Sequence, residues 1–104
     1  MDYLSLDLKN QDCLLIGSGD IAMQHARRLG KAGAAVHVVA PDLEEDLQNL
    51  AVDSGGSALL KGVDYSDLPG RLLLIAVSEN AEENEQAILW AKENDMLVYT
   101  VSQE

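Results

Sequence analysis

The chain has 104 residues, 47% apolar and 4% aromatic, and a formal charge of −11 with a pI near 4.3. That length supports one domain with a real core, and the apolar share is globular, which excludes a disordered chain. The acid excess excludes the clustered Lys and Arg that a nucleic-acid binder needs and disfavours an anionic membrane surface, so it reads as a solubility feature.

Met1 to Asn10 alternates acids with leucines and has neither a basic start nor an apolar run, so it does not read as a signal peptide. No stretch approaches the ~18 apolar residues of a membrane span. Cys13 is the single cysteine and cannot form an internal disulfide. A cytoplasmic location is therefore expected. Cys13-Leu14-Leu15-Ile16 is an apolar run of strand length that stops at glycine. A helix follows, with Ala22, Ala26, Leu29 and Gly30 on one face and Gly33 as its stop. Val36 to Val39 reads as a second strand, ended by Ala40-Pro41.

Asp42, with Glu45 three residues later, has the pattern of a capping box for the next helix, whose buried stripe is Leu43, Leu47, Leu50 and Ala51. Gly55-Gly56 ends it, and Ser57 to Leu60 is a short, weak strand. Tyr65 to Gly70 reads as a turn or a single helical turn. Leu72 to Val77 is the most apolar strand. Ala81 to Asn94 is a helix with Asn84, Ala87, Ile88 and Ala91 toward the sheet, and Leu97 to Val101 is the last strand.

Strands alternating with helices imply parallel pairing through crossover helices. The expected fold is α/β: one Rossmann-type, doubly wound domain over residues 1–104, with a five-stranded parallel sheet in order 3-2-1-4-5. Its ligand crevice lies beyond the carboxyl ends of strands 1 and 4, so Gly17 to Ala22, Ala40 to Asp42, Val77 to Asn80 and Ser102 to Glu104 are the segments to watch.

Gly17-Ser18-Gly19-Asp20-Ile21-Ala22 has the spacing of a dinucleotide loop and stands where that chemistry needs it, after a strand and opening a helix. Gly17 permits the tight turn, Gly19 leaves room for a pyrophosphate, and Ala22 lets the helix approach the strand. The helix N-terminus then faces the phosphates. The alternative is a strand-to-helix turn that binds nothing. Asp20 competes with phosphates unless it points away.

Asp42 lies 20 residues beyond Ala22, at the position of the acid that holds the adenosine ribose hydroxyls. A plain helix cap is the other reading of the same residue. Glu44, Glu45 and Asp46 follow without an Arg to receive a 2′-phosphate, so NAD is expected over NADP. Pro41, Val77 and Ser78 complete the cofactor-binding set, Ser78 as a hydrogen-bond donor.

Tyr3-Leu4 before Asp7-Leu8-Lys9, the run Cys13 to Ala22, and Ala34 to Pro41 together resemble the NAD domain of siroheme synthases. Tyr65, Asp67-Leu68 and Gly70 fit that family's turn before strand 4, and Ala76-Val77-Ser78-Glu79-Asn80 with Asn84 is similar to its Ala-x-Thr-Asp-Asp…Asn motif. The resemblance implies precorrin-2 dehydrogenase chemistry, the NAD-dependent oxidation of precorrin-2 to sirohydrochlorin in siroheme biosynthesis, with a tetrapyrrole as substrate. It also implies a dimerisation region and a helical domain, so a homodimer or a partner chain enters the expectation. Two departures stand out. Gln24-His25 replaces a basic pair, and Gln103 occupies the family's acidic position near the end of strand 5, where it can neither accept a proton nor supply charge. The catalytic residue is therefore left open, as is ferrochelatase activity. The alternative function is a non-catalytic nucleotide-binding or regulatory module that kept the fold and lost the chemistry.

Cys13, His25 and His37 lack metal-ligand spacing, and Cys13 and His37 read as candidate cross-strand neighbours. Ser18, Ser78 and Ser102 have no visible His-Asp partners for nucleophilic catalysis. Trp90 reads as a core or interface residue on a helix that is apolar on two sides.

Overall fold

Runs such as Cys13 to Ile16 and Leu73 to Ala76 have no polar side, so as strands they need cover on both faces. The computed structural model, which describes residues 6–100, provides it. The strands β1 (Asp12–Ile16), β2 (Ala35–Ala40), β3 (Ser57–Leu60), β4 (Leu73–Ala76) and β5 (Leu97–Thr100) form one parallel sheet in order β3-β2-β1-β4-β5, as the sequence predicts.

Three helices cover it: α1 (Gly19–Lys31), α2 (Glu45–Asp53) and α3 (Ala81–Glu93). Cys13, Leu15, Val36, Val38, Leu73 and Ile75 pack under α1 and α2 against Ala22, Ala26, Leu29, Leu47 and Ala51. The alternate residues Leu14, Ile16, Val39, Leu74 and Ala76 meet Ala87 and Ala91 of α3, together with Leu68. A 3-10 turn at Tyr65–Asp67 precedes β4 in place of a long helix. Lys61 braces it through Asp64 at 3.0 Å and Asp67 at 2.6 Å, and Asp64 also accepts from Ser66. The Ser66 hydroxyl and the Lys61 ammonium hold the Asp64 carboxyl below its ordinary range.

Two expectations change. First, α2 begins at Glu45 with Glu44 as its N-cap, so Asp42 does not cap it and no capping box forms there. Burial of Leu43 explains this: it pins the chain in an extended approach, and Gln48 Nε2 donates to the Leu43 carbonyl at 2.9 Å. Second, the register pairs Cys13 with Val36 and Leu14 with His37, so Cys13 and His37 lie on opposite faces.

His37 has polar partners, because the β1–β2–β3 register lines up three strands. Its Nε2 lies 2.8 Å from Asp12 Oδ1 and its Nδ1 2.9 Å from Ser57 Oγ, a polar ladder that ties edge strand β3 to the sheet. His25 is buried, with its ring 5.5 Å from that of Tyr99. The remaining elements differ from expectation by a residue or two at their ends. Among the described residues, no helix is long and apolar enough to cross a membrane.

Candidate functional site

The winding of the sheet reverses between β1 and β4, and loops that leave their carboxyl ends diverge to open a crevice. A cavity of about 460 Å³ lies there, within the roughly 300–1,000 Å³ of small-molecule sites. Three segments line it: Gly17, Ser18 and Gly19 after β1; Ala40, Pro41, Asp42 and Glu44 after β2; and Ser78, Glu79, Asn80 and Glu83 after β4. A second cavity, about 550 Å³, is a groove between α1 and α2, lined by Arg27, Lys31, Asp46 and Asp53 among others. It lies away from the glycine loop and the topological reversal.

The two glycines do different work. Gly17 has φ +132°, and a Cβ there would lie 2.8 Å from the Val77 carbonyl oxygen, so the loop crosses hard against the exit of β4. Its amide donates to Val39 O at 3.2 Å, which ties the loop to β2 as well. Gly19 has φ +87°, but nothing lies within 4 Å of the place a Cβ would take. The space above Gly19 is open, and a side chain would fill it.

Ser18 is the N-cap of α1 in extended conformation, and its hydroxyl makes no cap hydrogen bond. The first-turn amides of α1 are thus left to a ligand or to groups from elsewhere. One group does reach them: Gly19 N donates to Glu44 Oε2 at 3.4 Å.

The loop after β4 is fastened by Asn84 of α3. Its Oδ1 accepts from Ser78 N at 3.1 Å, and its Nδ2 donates to Ser78 O at 2.8 Å. The Ser78 hydroxyl donates to Asn80 O and accepts from Asn80 N, both at 3.1 Å. That proton is engaged within the turn, so the expected hydroxyl donor role needs the turn to open. Asn80 Oδ1 caps α3 by accepting from Glu83 N at 3.2 Å.

The structure therefore gathers Gly17, Ser18, Gly19, Pro41, Asp42 and Ser78 at one cavity. Ala22 is fully buried under the loop and Val77 is buried beside it, both supporting the turn. Asp20 and Ile21 are exposed and do not line the cavity. Asp42 is exposed and makes no side-chain hydrogen bond among the described residues, so its carboxylate is available to a ligand. Gln103 and the rest of the Ser102 to Glu104 segment lie outside the described residues.

Glu44 and Glu83 were not singled out by motif. Their signal was position: Glu44 stands just past the β2 turn, and Glu83 lies in the first turn of α3. With Asp42 and Glu79 they make four carboxylates among the described residues of the cavity lining, which include no Lys or Arg. Among the described residues, no group of three His, Cys, Asp or Glu is placed to hold a metal ion. Burial, with the nearby Asp12 charge, pushes the Cys13 thiol up to about 11, so it is neutral and a poor nucleophile near neutral pH.

A family model described as "Putative NAD(P)-binding" matches residues 4–104. The chain belongs to that family. Among its curated relatives, a siroheme synthase of Pseudomonas entomophila (strain L48) is 41% identical over 103 residues, covering 97% of this chain and 22% of that protein. One from Saccharophagus degradans (strain 2-40) is 43% identical over 81 residues, covering 76% and 18%. The solved structure of "SirC, precorrin-2 dehydrogenase" superposes with a TM-score of 0.78 at 27% identity, over 95% of this chain and 48% of that one. The siroheme-synthase NAD-domain resemblance read from Cys13 to Ala22 and Ala76 to Asn84 thus extends across the chain. The chain spans about a fifth of the length of the curated relatives it matches.

For a member of an NAD(P)-binding family, the crevice fits a nicotinamide dinucleotide. The open space over Gly19 admits a phosphate, the α1 N-terminus lacks a side-chain cap of its own, and Asp42 is free of α2.

Proposed function

We propose that this chain is the NAD-binding unit of a siroheme-synthase-type precorrin-2 dehydrogenase. The observation that carries the reading is the pairing of an open Gly19, at an α1 N-terminus with no cap bond from Ser18, with an unengaged Asp42 across the crevice. The amides of Ser18 and Gly19, and those of Asp20 and Ile21 behind them, face the pyrophosphate, with Gly17 making the turn and Ala22 holding the helix close. Asp42 accepts from the ribose hydroxyls, Pro41 walls that end, and Ser78, backed by the buried Val77, forms the opposite wall. The bound nicotinamide would accept a hydride from precorrin-2. The chain's own part is orientation, held by Asn84 on the Ser78 backbone and by the Gly17 loop against Val77. The cytoplasmic location expected from the sequence belongs to the same proposal.

NAD is preferred over NADP because the ribose end meets Asp42 without a cation on the lining. One charge pair near 4 Å costs ~1 kcal/mol in water and more where water is thinned, so NADPH should bind at least about fivefold more weakly. Fluorescence titration of the purified chain with each nucleotide tests this. Equal affinities would remove the assignment of Asp42, and failure of both nucleotides to bind would remove the reading.

One observation favours a second reading, a nucleotide-binding module without turnover. Among the described residues, every ionisable side chain on the lining is a carboxylate, which repels a polycarboxylate tetrapyrrole. NADH binding without sirohydrochlorin formation from precorrin-2 would select that reading.

A further inference from the structure

Helices α1 and α2 both enter the crevice by their N-termini, and neither is capped in the usual way. Ser18, the N-cap of α1, makes no side-chain cap hydrogen bond, and neither does Glu44, the N-cap of α2. Glu44 instead reaches across the crevice, and its Oε2 accepts from the Gly19 amide at 3.4 Å. Serine is among the preferred N-caps, so an idle Ser18 beside a carboxylate from another helix calls for a reason. The bonded amide belongs to the residue whose Cβ position is empty, the spot where an anion can approach the backbone. A carboxylate and a phosphate oxygen are alike in what that amide needs, an anionic acceptor on the axis of a helix dipole.

We propose that Glu44 is a built-in stand-in for the nucleotide phosphate, which holds the Gly19 amide in the free chain and must be displaced when the dinucleotide binds. This rests on the reading of the crevice as a dinucleotide site. The contact is long for an N–H···O bond, and Glu44 is exposed, so exchanging it for a phosphate costs little at the amide itself. The larger cost is charge. Asp42, Glu79 and Glu83 already line the cavity, so a displaced Glu44 has no cation there to receive it and stays near the incoming pyrophosphate. Glu44 therefore lowers nucleotide affinity and keeps the Gly19 amide occupied between ligands.

Glu44→Ala removes the carboxylate together with its contact, and Glu45→Ala, next in sequence and not on the cavity lining, removes an equal charge without it. NADH should bind Glu44→Ala about fivefold more tightly than the unmodified chain, the size of one water-screened unit charge at contact distance. Glu45→Ala should change affinity less than about twofold, the remainder expected of a more distant, screened charge. Unchanged or weaker binding in Glu44→Ala would overturn the proposal, as would equal tightening in both variants. A readout without nucleotide separates this from the dinucleotide reading. In the free protein the Gly19 amide resonance should shift, and its hydrogen exchange should accelerate, in Glu44→Ala and not in Glu45→Ala. If the amide responds but no variant binds NADH, the contact stands and the dinucleotide reading fails. If the amide is unmoved, the proposal fails whatever NADH does.

Discussion

Gly17→Ala and Gly19→Ala place the same methyl two residues apart and should give opposite phenotypes. At Gly19, φ is +87° and the Cβ site is empty, so the cost is backbone alone, about 1–2 kcal/mol for a left-handed L-residue. A domain of this size loses about 4–8 °C of Tm per kcal/mol, and a stability of ~5–15 kcal/mol leaves it folded. The methyl, however, enters the space through which a phosphate reaches the α1 amides. Losing hydrogen bonds to a charged group costs ~1.5–3 kcal/mol each, so NADH binding should weaken tenfold or more. At Gly17 the backbone cost recurs at φ +132°, and the Cβ also lies 2.8 Å from Val77 O and 2.9 Å from Val77 C. Overpacking against backbone adds about 1–3 kcal/mol, so the sum of ~2–5 kcal/mol should appear mainly as a fall in Tm. Differential scanning fluorimetry and NADH titration on both variants are the assays. A folded Gly19→Ala that binds NADH like the unmodified chain would refute the assignment of that space to a phosphate. A Gly17→Ala as stable as the unmodified chain would refute the packing of the loop against β4.

Asn84→Ala removes both bonds to the Ser78 backbone, so stability should fall by about 1–3 kcal/mol. NADH should bind more weakly because the wall after β4 loses its fastening, and unchanged NADH affinity would show that this loop takes no part. Cys13 should resist a disulfide reagent at pH 8 and label only as fast as the chain unfolds, whereas prompt labelling would contradict its burial. Its folded pKa of about 11 is raised by burial above the 9.0 of an ordinary thiol, so the neutral thiol's contribution is complete below pH 9 and lost as pH rises toward 11. Cys13→Ala has nothing to titrate there, and urea titrations at pH 8, 9.5 and 11 should show a shallower loss of stability than in the unmodified chain.

What was legible in the sequence was periodic or conformational. Val36 to Val39 and Leu72 to Val77 have one burial solution as strands, and glycines at 17, 19 and 33 mark places where φ is positive. Order 3-2-1-4-5 followed because crossover helices leave few ways to wind a sheet. The start of α2 was less legible: an Asp three residues before a Glu has the same local pattern whether or not the intervening Leu is drawn into the core, and burial of Leu43 moved the cap to Glu44. Pairs that depend on register were not legible. Asp12, His37 and Ser57 come from three strands, and nothing in any one strand announces the ladder. The reach of Glu44 to Gly19 spans 25 positions and depends on the angle between two helices.

The charge of the crevice separates two steps that the siroheme-synthase resemblance joins. A dinucleotide can be held without a cation, by helix amides on its phosphates and a carboxylate on its ribose hydroxyls. A tetrapyrrole bearing several carboxylates is different: its positioning in the crevice calls for Arg or Lys, and Asp42, Glu44, Glu79 and Glu83 supply the opposite sign. Arg27 and Lys31 line the groove between α1 and α2, and Lys61 is committed to Asp64 and Asp67. Hydride transfer needs little beyond proximity, but proximity of a polyanion to this lining is unfavourable. On the proposed reading the crevice serves the nucleotide, and any affinity for a tetrapyrrole would have to come from cations outside its lining.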